Sequence, residues 1–360
     1  MASNTIGNIL KFTSFGESHG AAVGGVLDGF PAGIRINEEF IQTALNRRRP
    51  GQSDISTPRN ESDQIEFVSG IFEGESTGHP MAFFIRNKDA KSSDYSALKD
   101  LYRPSHADYT YQLKYGIRDH RGGGRASARV TAGWVAAGAL AELLLKEYTD
   151  LDLAAYVSSV HQINMPFTGK FHSREQIEMN MVRCPDQATA ALMITAIEKA
   201  KTEGDSLGGI ITCVIRKCPI GLGDPVFEKL NARLAAAMFS IPAVKGFEMG
   251  DGFDIIQQKG SEVNDAFIHD MKNIHTITNH SGGIQGGISN GEDIIFKVAF
   301  KPTSTISKTQ NTVNIEGKNV ILSAGGRHDP CVLPRAVPIV EALAIFTLAD
   351  LYLYNRINHL

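Results

Sequence analysis

Arginine and glycine alternate over Arg121–Thr131, whose sequence is RGGGRASARVT. Three consecutive glycines let the backbone adopt positive φ and let a ligand approach the main chain closely. The small, largely apolar residues that follow predict a buried helix, so the loop would offer unpaired N–H groups and the positive end of a helix dipole to an anion. Arg125 and Arg129 are four residues apart and would share a helical face if the helix has begun. The alternative is a glycine-rich turn with solvated arginines.

Two loops carry histidines that could exchange protons with a ligand. His19 lies in the glycine-flanked segment Ser14–Gly20, between two strand-like runs. His106 lies in a polar, tyrosine-rich stretch from about Asn87 to Arg121, and a long polar loop inside a compact protein is typically functional or disordered. Because imidazole titrates near neutral pH, both histidines are candidate proton donors. Plain surface loops are the alternative.

Basic and hydroxyl side chains recur in three further loops. Arg47–Arg49 follow a helix that we predict from an Asn37 cap to about Asn46, where cations are favourable on structural grounds alone; one of them could also bind phosphate. The hydroxyls of 302–307 could bind ring or phosphate oxygens, or simply make turns. The Arg327–Asp329 run is costly to bury without partners, so it is exposed or functional.

Common nucleotide-binding and metal-binding motifs are missing from the sequence. The glycine cluster Asn279–Gly291 is not a dinucleotide fingerprint, because no strand feeds it and no helix follows it, and there is no Walker A motif. Four cysteines are spread without C-x-x-C spacing, which predicts reduced packing residues. We predict no metal site.

Composition limits the class of ligand. The 360 residues are 42% apolar and 21% charged, as in ordinary soluble globular proteins, and the net charge is −3. Without a global basic field, local arginine clusters suit a small anionic ligand better than nucleic acid or a membrane surface. The N-terminus lacks a signal segment, and Pro338, Glu341 and Asp350 interrupt the apolar run Ala336–Leu353, which predicts a buried helix rather than a membrane span.

The elements that position these loops are interspersed irregularly. Predicted helices also cover about Ala126–Tyr148, Ser173–Met181, Asp186–Thr202 and Pro225–Phe239. Predicted strands lie within 64–86 and at Leu153–Ile163, Gly208–Cys218 and Ile294–Lys301. With no repeat and no clear linker, residues 1–360 favour a single mixed α+β domain over a doubly wound sheet.

Six segments, in the same order over essentially the whole chain, resemble the chorismate synthase family. They are Gly16–Gly20, Arg47–Gly51, Arg103–Asp108, Arg121–Thr131, His280–Gly291 and Arg327–Cys331. The resemblance implies a β-α-β sandwich, with a helical core between antiparallel sheets, in a cytoplasmic enzyme that is usually a homotetramer. It also implies a carbon–oxygen lyase of the shikimate pathway of aromatic amino acid biosynthesis. That enzyme forms chorismate from 5-enolpyruvylshikimate 3-phosphate by 1,4-anti elimination and needs reduced FMN (FMNH2), with NADPH as a candidate reductant.

Roles for individual residues follow from the same resemblance. His19 would protonate the departing phosphate, His106 would donate a proton near the reduced flavin, and Asp329 would help relay the C6 proton through flavin N5. Substrate or NADP would be held by Arg48, Arg129 and Arg335. FMN would be held by Arg125, Ala126, Ser127, Pro242, Ala243, Gly286, Lys301, Pro302, Thr303, Ser304, Thr305 and Arg327. The sequence departs from common family residues at Asp54, Pro242 and Ala126, where relatives often carry arginine, asparagine and serine.

Two other functions are compatible with parts of the sequence. A nucleic-acid binder could use the arginines of 47–49 and 121–125, and it would show steep salt dependence. A catalytically inactive flavin- or phosphate-binding module would keep the ligand-binding loops but lack the side chains that transfer protons. The presence of His19, His106 and Asp329 argues against the second alternative.

Overall fold

The N-terminal strands form an antiparallel sheet. The computed structural model describes residues 4–57, 61–89, 98–271, 273–323 and 329–358. Its first strands are β1 (Thr5–Ile6), β2 (Lys11–Gly16), β3 (Ala22–Asp28), β4 (Ile65–Phe67), β5 (Ile71–Phe72), β6 (Glu75–Ser76) and β7 (Met81–Arg86). Within the described residues, five of them form a sheet in the order β1-β2-β3-β7-β4, and β5 pairs with β6. Burial alternates along β2 and β7, so one face of this sheet enters the core.

A second antiparallel sheet lies in the C-terminal half. Later strands are β8 (Asp152–Val160), β9 (Ile163–Asn164), β10 (Gly209–Arg216), β11 (Val244–Met249), β12 (Phe267–His269), β13 (Ile274–Thr276), β14 (Ile284–Gln285), β15 (Ile288–Ser289), β16 (Ile294–Phe300), β17 (Gln310–Val313) and β18 (Asn319–Leu322). The sheet order is β11-β16-β10-β8-β9 in the described part of the chain. At its centre, Cys213 pairs with Phe296 on one side and Ala155 on the other. The remaining strands pair as two-stranded hairpins.

The described residues form eight helices, of which the two longest lie between the two sheets. The helices are α1 (Glu38–Arg48), α2 (Asp108–Tyr115), α3 (Thr131–Tyr148), α4 (Arg174–Ile177), α5 (Gln187–Thr202), α6 (Leu230–Phe239), α7 (Gly260–Val263) and α8 (Leu333–Ile357). α1, α3 and α8 pack on one another, α3 against β3 and α8 against β8 and β10. One continuous hydrophobic core joins both sheets to these helices. The predicted α+β fold, a helical core between antiparallel sheets, is confirmed.

Close packing of α3 on α8 explains the small residues in α3. A Cβ at Gly138 would lie 2.4 Å from the Cβ of Ala342, so only glycine allows this approach. Ala128–Tyr148 and α8 are each long and apolar enough to cross a membrane, but 78% and 89% of their most apolar stretches are buried inside the protein. Both are therefore core helices, and the prediction of a buried C-terminal helix is confirmed.

Two helix starts that the sequence predicts are confirmed by side-chain caps, and a third is not. The Asn37 side chain caps α1 by accepting from Phe40 N at 3.0 Å, and Asp186 caps α5 in the same way through Thr189 N at 2.8 Å. The helix predicted over Pro225–Phe239 is present, but its predicted start is wrong, because α6 begins at Leu230, whose N–H donates to the Gly287 carbonyl of another loop.

Two other predictions of secondary structure are also wrong. The helix predicted over Ser173–Met181 shrinks to the four residues of α4, where Ser173 and Gln176 form a capping box. The stretch Asn87–Arg121 is not all loop, since it contains α2, whose eight residues include only one buried side chain, that of Asp108. With almost no apolar face, α2 gave no helical period to detect.

Candidate active site

A cavity of about 390 Å³ opens where α1 ends and where α3 and α8 begin. The loop before α2, the loop after α6 and the loop after β16 complete its wall. It brings together most of the predicted site residues: Arg48, His106, Ala126, Ser127, Arg129, Pro242, Ala243, Lys301, Pro302, Thr303, Ser304, Thr305, Asp329 and Arg335. Cavities of this size commonly hold small molecules.

A buried carboxylate joins two of the predicted substrate arginines. The Arg48 guanidinium donates to Asp63 Oδ2 at 3.1 Å, and Arg129 donates to Asp63 Oδ1. Burial lowers the pKa of Arg48 to about 9, helped by Arg335 and Arg129 and opposed by Asp63. Burial alone would raise the pKa of Asp63, but the two arginines outweigh it and hold that pKa below its usual range. Arg48 and Asp63 are therefore both charged near neutral pH.

The chain leading into α3 separates Arg125 from Arg129. Residues Gly124–Ala126 and Ala128–Val130 form two 3₁₀ turns, and between them Ser127 is extended, with φ −76° and ψ 143°. The prediction that Arg125 and Arg129 share a helical face is therefore wrong. Arg125 donates to the Gly16 carbonyl at 2.9 Å and to the Ser14 carbonyl at 3.1 Å, outside the cavity.

Arg129 points the other way and is held by three partners. Besides Asp63, its Nε donates to Asn87 Oδ1 at 2.7 Å, and a terminal nitrogen donates to the Arg86 carbonyl at 3.1 Å. The N–H of Arg129 itself donates to Ser127 Oγ at 3.2 Å. The guanidinium is thus fixed in one orientation on the cavity wall.

Asp329 and Arg335 form an ion pair at the start of α8. Arg335 donates to Asp329 Oδ2, while Oδ1 accepts from Thr57 N at 2.9 Å. The Asp329 carbonyl accepts from Thr303 Oγ1 at 2.9 Å, which ties α8 to the hydroxyl-rich loop. The predicted acid and the predicted substrate ligand therefore lie in direct contact.

His106 lies in the turn before α2. Ser105 adopts φ +58°, a left-handed conformation, and His106 N donates to the Arg103 carbonyl at 3.2 Å. The imidazole Nδ1 lies 3.0 Å from Asp108 Oδ1 and 3.1 Å from a terminal nitrogen of Arg103. Lys301 Nζ donates to Ser105 Oγ at 2.7 Å, so this turn is fixed to the opposite wall.

Another part of the cavity wall combines a lysine and hydroxyl donors with apolar surface. Lys301 is half-buried, and among the described residues no carboxylate lies within 4.0 Å of its Nζ. Burial, and to a lesser extent Lys245, lowers its pKa, so an anion nearby would be favourable. Ala243 adopts φ +74°, and its carbonyl accepts from Lys301 N at 2.9 Å. Hydroxyls from Thr303, Ser304 and Thr305 and apolar surface from Ile241, Pro242, Val332 and Ile339 complete this wall. These donors and apolar surfaces suit a ligand that carries both a phosphate and a flat ring.

Among the described residues, three predicted site residues do not line the cavity. His19 lies next to it: its ring packs on the glycine loop so closely that a Cβ at Gly122 would lie 2.0 Å from Nδ1. Arg125 binds β2 as described above, and Gly286 turns the β14-β15 hairpin elsewhere. Arg327 lies outside the described residues.

The sequence analysis assigned no role in the site to Asp63, Arg103 or Asp108. Arg103 and Asp108 flank His106 in RPSHAD, and their opposite charges at this spacing were a usable signal. Asp63 stands in a polar loop with no distinguishing neighbours, so only the fold shows that it faces two arginines.

The RRRP and RGGGR arginines do not form an exposed basic stripe. Arg48 is buried, Arg47 pairs with Glu341 and Glu178, and Arg125 donates to backbone carbonyls. Of the two exposed arginines, Arg49 and Arg121, the second pairs with Asp119 at 2.7 Å. A nucleic-acid backbone needs accessible cations along a surface, so the structure does not favour the polymer-binding alternative. Among the described residues, no group of three or more His, Cys, Asp or Glu side chains is placed to hold a metal ion.

The fold and the site together define an α+β protein with a cation-lined cavity against a helical core. The chain matches the family model of chorismate synthase over residues 10–353. It is 58% identical over 357 residues to the chorismate synthases of Bacteroides fragilis and Bacteroides thetaiotaomicron, covering 99% of both chains in each case. A solved crystal structure of chorismate synthase superposes with a TM-score of 0.75 at 29% identity, covering 97% of this chain and 93% of that one. The chain belongs to the chorismate synthase family.

Proposed function

We propose that the protein removes phosphate and a C6 hydrogen from 5-enolpyruvylshikimate 3-phosphate by 1,4-anti elimination, giving chorismate in the shikimate pathway of aromatic amino acid biosynthesis. The observation that carries the proposal is the charge of the cavity. Among the described residues, five basic side chains line it: Arg48, Arg103, Arg129, Arg335 and Lys301. Asp329 on the wall, with Asp63 and Asp108 behind it, leaves an excess of positive charge. A substrate with one phosphate and two carboxylates is opposite in charge to that excess and would be attracted to the cavity.

The arginines would bind and orient the substrate. A planar guanidinium can donate two parallel hydrogen bonds to a phosphate or carboxylate, and Arg48, Arg129 and Arg335 are each held by carboxylates that fix their planes. Because their side chains are already ordered, little conformational entropy would be lost on binding. Burial of the arginines also strengthens their attraction for an anion, since solvent screening is weak there.

His106, His19 and Asp329 are the proposed proton-transfer groups. His106 and Asp329 lie on the cavity wall, and His19 lies against the glycine loop behind it. We assign His106 as a proton donor on the flavin side and His19 as the donor to the leaving phosphate. Asp329, already in contact with Arg335, would assist removal of the C6 hydrogen.

Reduced FMN is the proposed cofactor. Its phosphate and ribityl oxygens would be held by Lys301, Thr303, Ser304, Thr305 and Ser127, and its ring would pack on Pro242 and Ala243. When bound, the reduced flavin supplies the electron-rich ring that an elimination without net redox change requires. We also propose a cytoplasmic homotetramer, which light scattering of the purified protein would test.

An anaerobic assay with photoreduced FMN tests the reaction. Wild-type protein is expected to form chorismate from the phosphosubstrate. His106→Ala should reduce turnover by ~10²–10⁴-fold, the usual loss for a general acid. His79→Ala, at an exposed position outside the cavity, is the matched control and should keep wild-type turnover. Absence of chorismate with wild-type protein would overturn the proposed function.

The source of the reducing electrons is a separate question with its own test. We propose NADPH as the reductant. Protein, oxidised FMN and NADPH mixed anaerobically should lose the absorbance of oxidised flavin. If the absorbance stays constant while photoreduced FMN supports turnover, the reductant proposal fails and the elimination stands.

A further inference from the structure

Asp108, the first residue of α2, is buried beneath His106 and is surrounded by cations. Its carboxylate accepts from Arg103 Nε and a terminal nitrogen, both at 2.8 Å, and Arg118 lies 3.4 Å from Oδ2. Burial alone would raise its pKa, but hydrogen bonds from Arg103 and His106 outweigh burial and hold that pKa well below its usual range. The group beneath the imidazole is therefore a carboxylate that can only accept.

Two groups compete for the Nδ1 atom of His106. Asp108 Oδ1 lies 3.0 Å away and would accept an Nδ1–H, while the Arg103 terminal nitrogen lies 3.1 Å away and would donate to a bare Nδ1. The same Arg103 nitrogen lies 2.8 Å from Asp108 Oδ1. The nitrogen, the oxygen and Nδ1 thus form a nearly equilateral triangle.

That triangle favours Asp108 as the partner of Nδ1. Seen from the Arg103 nitrogen, Nδ1 lies roughly 60° from the direction of Oδ1, so an N–H aimed at the carboxylate is badly bent toward the imidazole. Because the two hydrogens of that nitrogen lie about 120° apart, it can donate to both acceptors only with each N–H about 30° off line, which weakens its bond to the carboxylate. An Nδ1–H donated to Oδ1 meets no such conflict.

We propose that Asp108 is a positioning residue for His106, accepting Nδ1–H and so directing Nε2 to the cavity as the nitrogen that exchanges protons there. The inference rests on the proposed function for its kinetic consequence but not for the tautomer itself. Arg103 then orients the carboxylate through two parallel hydrogen bonds rather than competing for the ring. A partner of this kind commonly fixes the tautomer and orientation of a functional histidine.

The tautomer can be measured without any turnover. Nitrogen-15 NMR of wild-type protein labelled at histidine, with His106 assigned by its loss in His106→Gln, should show a protonated Nδ1. In Asp108→Asn the amide can donate to the ring, so the proton should move to Nε2. A bare Nδ1 in the wild-type protein would overturn the inference, whatever the enzyme does with substrate.

Kinetic and stability measurements then distinguish a positioning role of Asp108 from a purely structural one. Asp108→Asn should lower single-turnover chorismate formation by at least ~10-fold while substrate affinity changes little, and Asp108→Glu should restore part of the rate. Arg118→Gln is the matched control: Arg118 contacts the same carboxylate and donates to the Leu101 carbonyl at 3.0 Å, so its loss should lower the melting temperature without slowing the chemistry. Equal slowing by Arg118→Gln and Asp108→Asn would reduce Asp108 to a structural role and overturn the inference. If wild-type protein forms no chorismate but shows the expected tautomer, the proposed function fails and the positioning stands.

Discussion

The guanidinium of Arg183 donates to the carbonyl oxygen of Pro334, near the start of α8. That oxygen needs an outside donor, because the residue four positions on is Pro338, which has no N–H. Arg183 is buried and adopts φ +61°, a left-handed conformation that favours glycine. The chain thus keeps an arginine at a strained position to satisfy a carbonyl that a core proline leaves without a partner.

A double-mutant cycle tests this relationship. Arg183→Ala is expected to destabilise the fold by ~1–3 kcal/mol, since it leaves a buried acceptor unsatisfied. In a Pro338→Ala background the new N–H can donate to Pro334, so the same change should cost about 1 kcal/mol less. Urea unfolding of the four proteins at one concentration measures the coupling. Additive effects, within ~0.5 kcal/mol, would show that the two positions act independently.

Asp63, behind the cavity wall, is expected to be the most costly carboxylate of the site to remove. Its side chain is fully buried between Arg48 and Arg129, so Asp63→Ala leaves two buried cations unpaired and should destabilise the fold by ~3–5 kcal/mol. Glu66→Ala is the control, because Glu66 pairs with Arg86 on the surface at 2.8 Å and such pairs contribute ~0–1 kcal/mol. Denaturant unfolding compares them. Similar losses for the two variants would mean that the buried cations relax into solvent.

Acid should weaken the loop that follows β13. Burial would raise the pKa of Asp265, but hydrogen bonds from Ser281, His280 and Thr278 lower it to about 2 from a normal 3.8. A depressed carboxyl pKa contributes stability that is fully present above the unfolded value and is lost as pH falls toward the folded value. The stability difference between wild type and Asp265→Asn should therefore shrink between pH 4 and pH 2.

Thermal unfolding of both proteins across that pH range provides the measurement. Asp254→Asn, at an exposed carboxylate on the neighbouring 3₁₀ segment 252–257, is the control and should track wild type throughout. A gap between wild type and Asp265→Asn that stays constant down to pH 2 would show that the four hydrogen bonds on this carboxylate do not depend on its charge.

Elements marked by local chemistry were predictable from the sequence. Asn37 and Asp186 cap their helices through side-chain oxygens, and the apolar C-terminal run is a buried helix, because those signals lie within a few residues of the structure they determine. The Ser127 kink was not predictable: a small-residue run looks helical from its first alanine, and only the contacts of Arg125 and Arg129 on opposite sides fix where α3 begins.

The candidate site likewise contains residues that the sequence predicts and residues that only the fold brings together. Loops with unusual composition predicted most residues of the cavity, because arginine, glycine and histidine together are seldom needed for packing alone. Asp63 could not be predicted, since its role depends on contacts with residues 15 and 66 positions away in the chain. Buried ion pairs between distant segments leave no local pattern.

The last prediction separates Arg129 from Arg125, which the sequence had placed together. Arg129→Ala should weaken binding of the phosphosubstrate by about 10- to 100-fold, because a hydrogen bond to a charged group contributes ~1.5–3 kcal/mol. Arg129→Lys should recover only part of this loss, since an ammonium cannot reproduce the planar fork that Asp63 and Asn87 hold in place.

Arg125→Ala is the matched control four residues away. Its guanidinium donates to the Ser14 and Gly16 carbonyls of β2, so its loss should lower the melting temperature yet change the affinity for substrate and for FMN by no more than ~2-fold. Titrations of each variant at fixed salt provide all of these values. Near-wild-type substrate affinity in both Arg129 variants would remove that residue from the site. A large loss of FMN affinity in Arg125→Ala would instead show that Arg125 contributes to the cofactor site. A side chain that only connects β2 to the glycine loop is not expected to change FMN affinity so strongly.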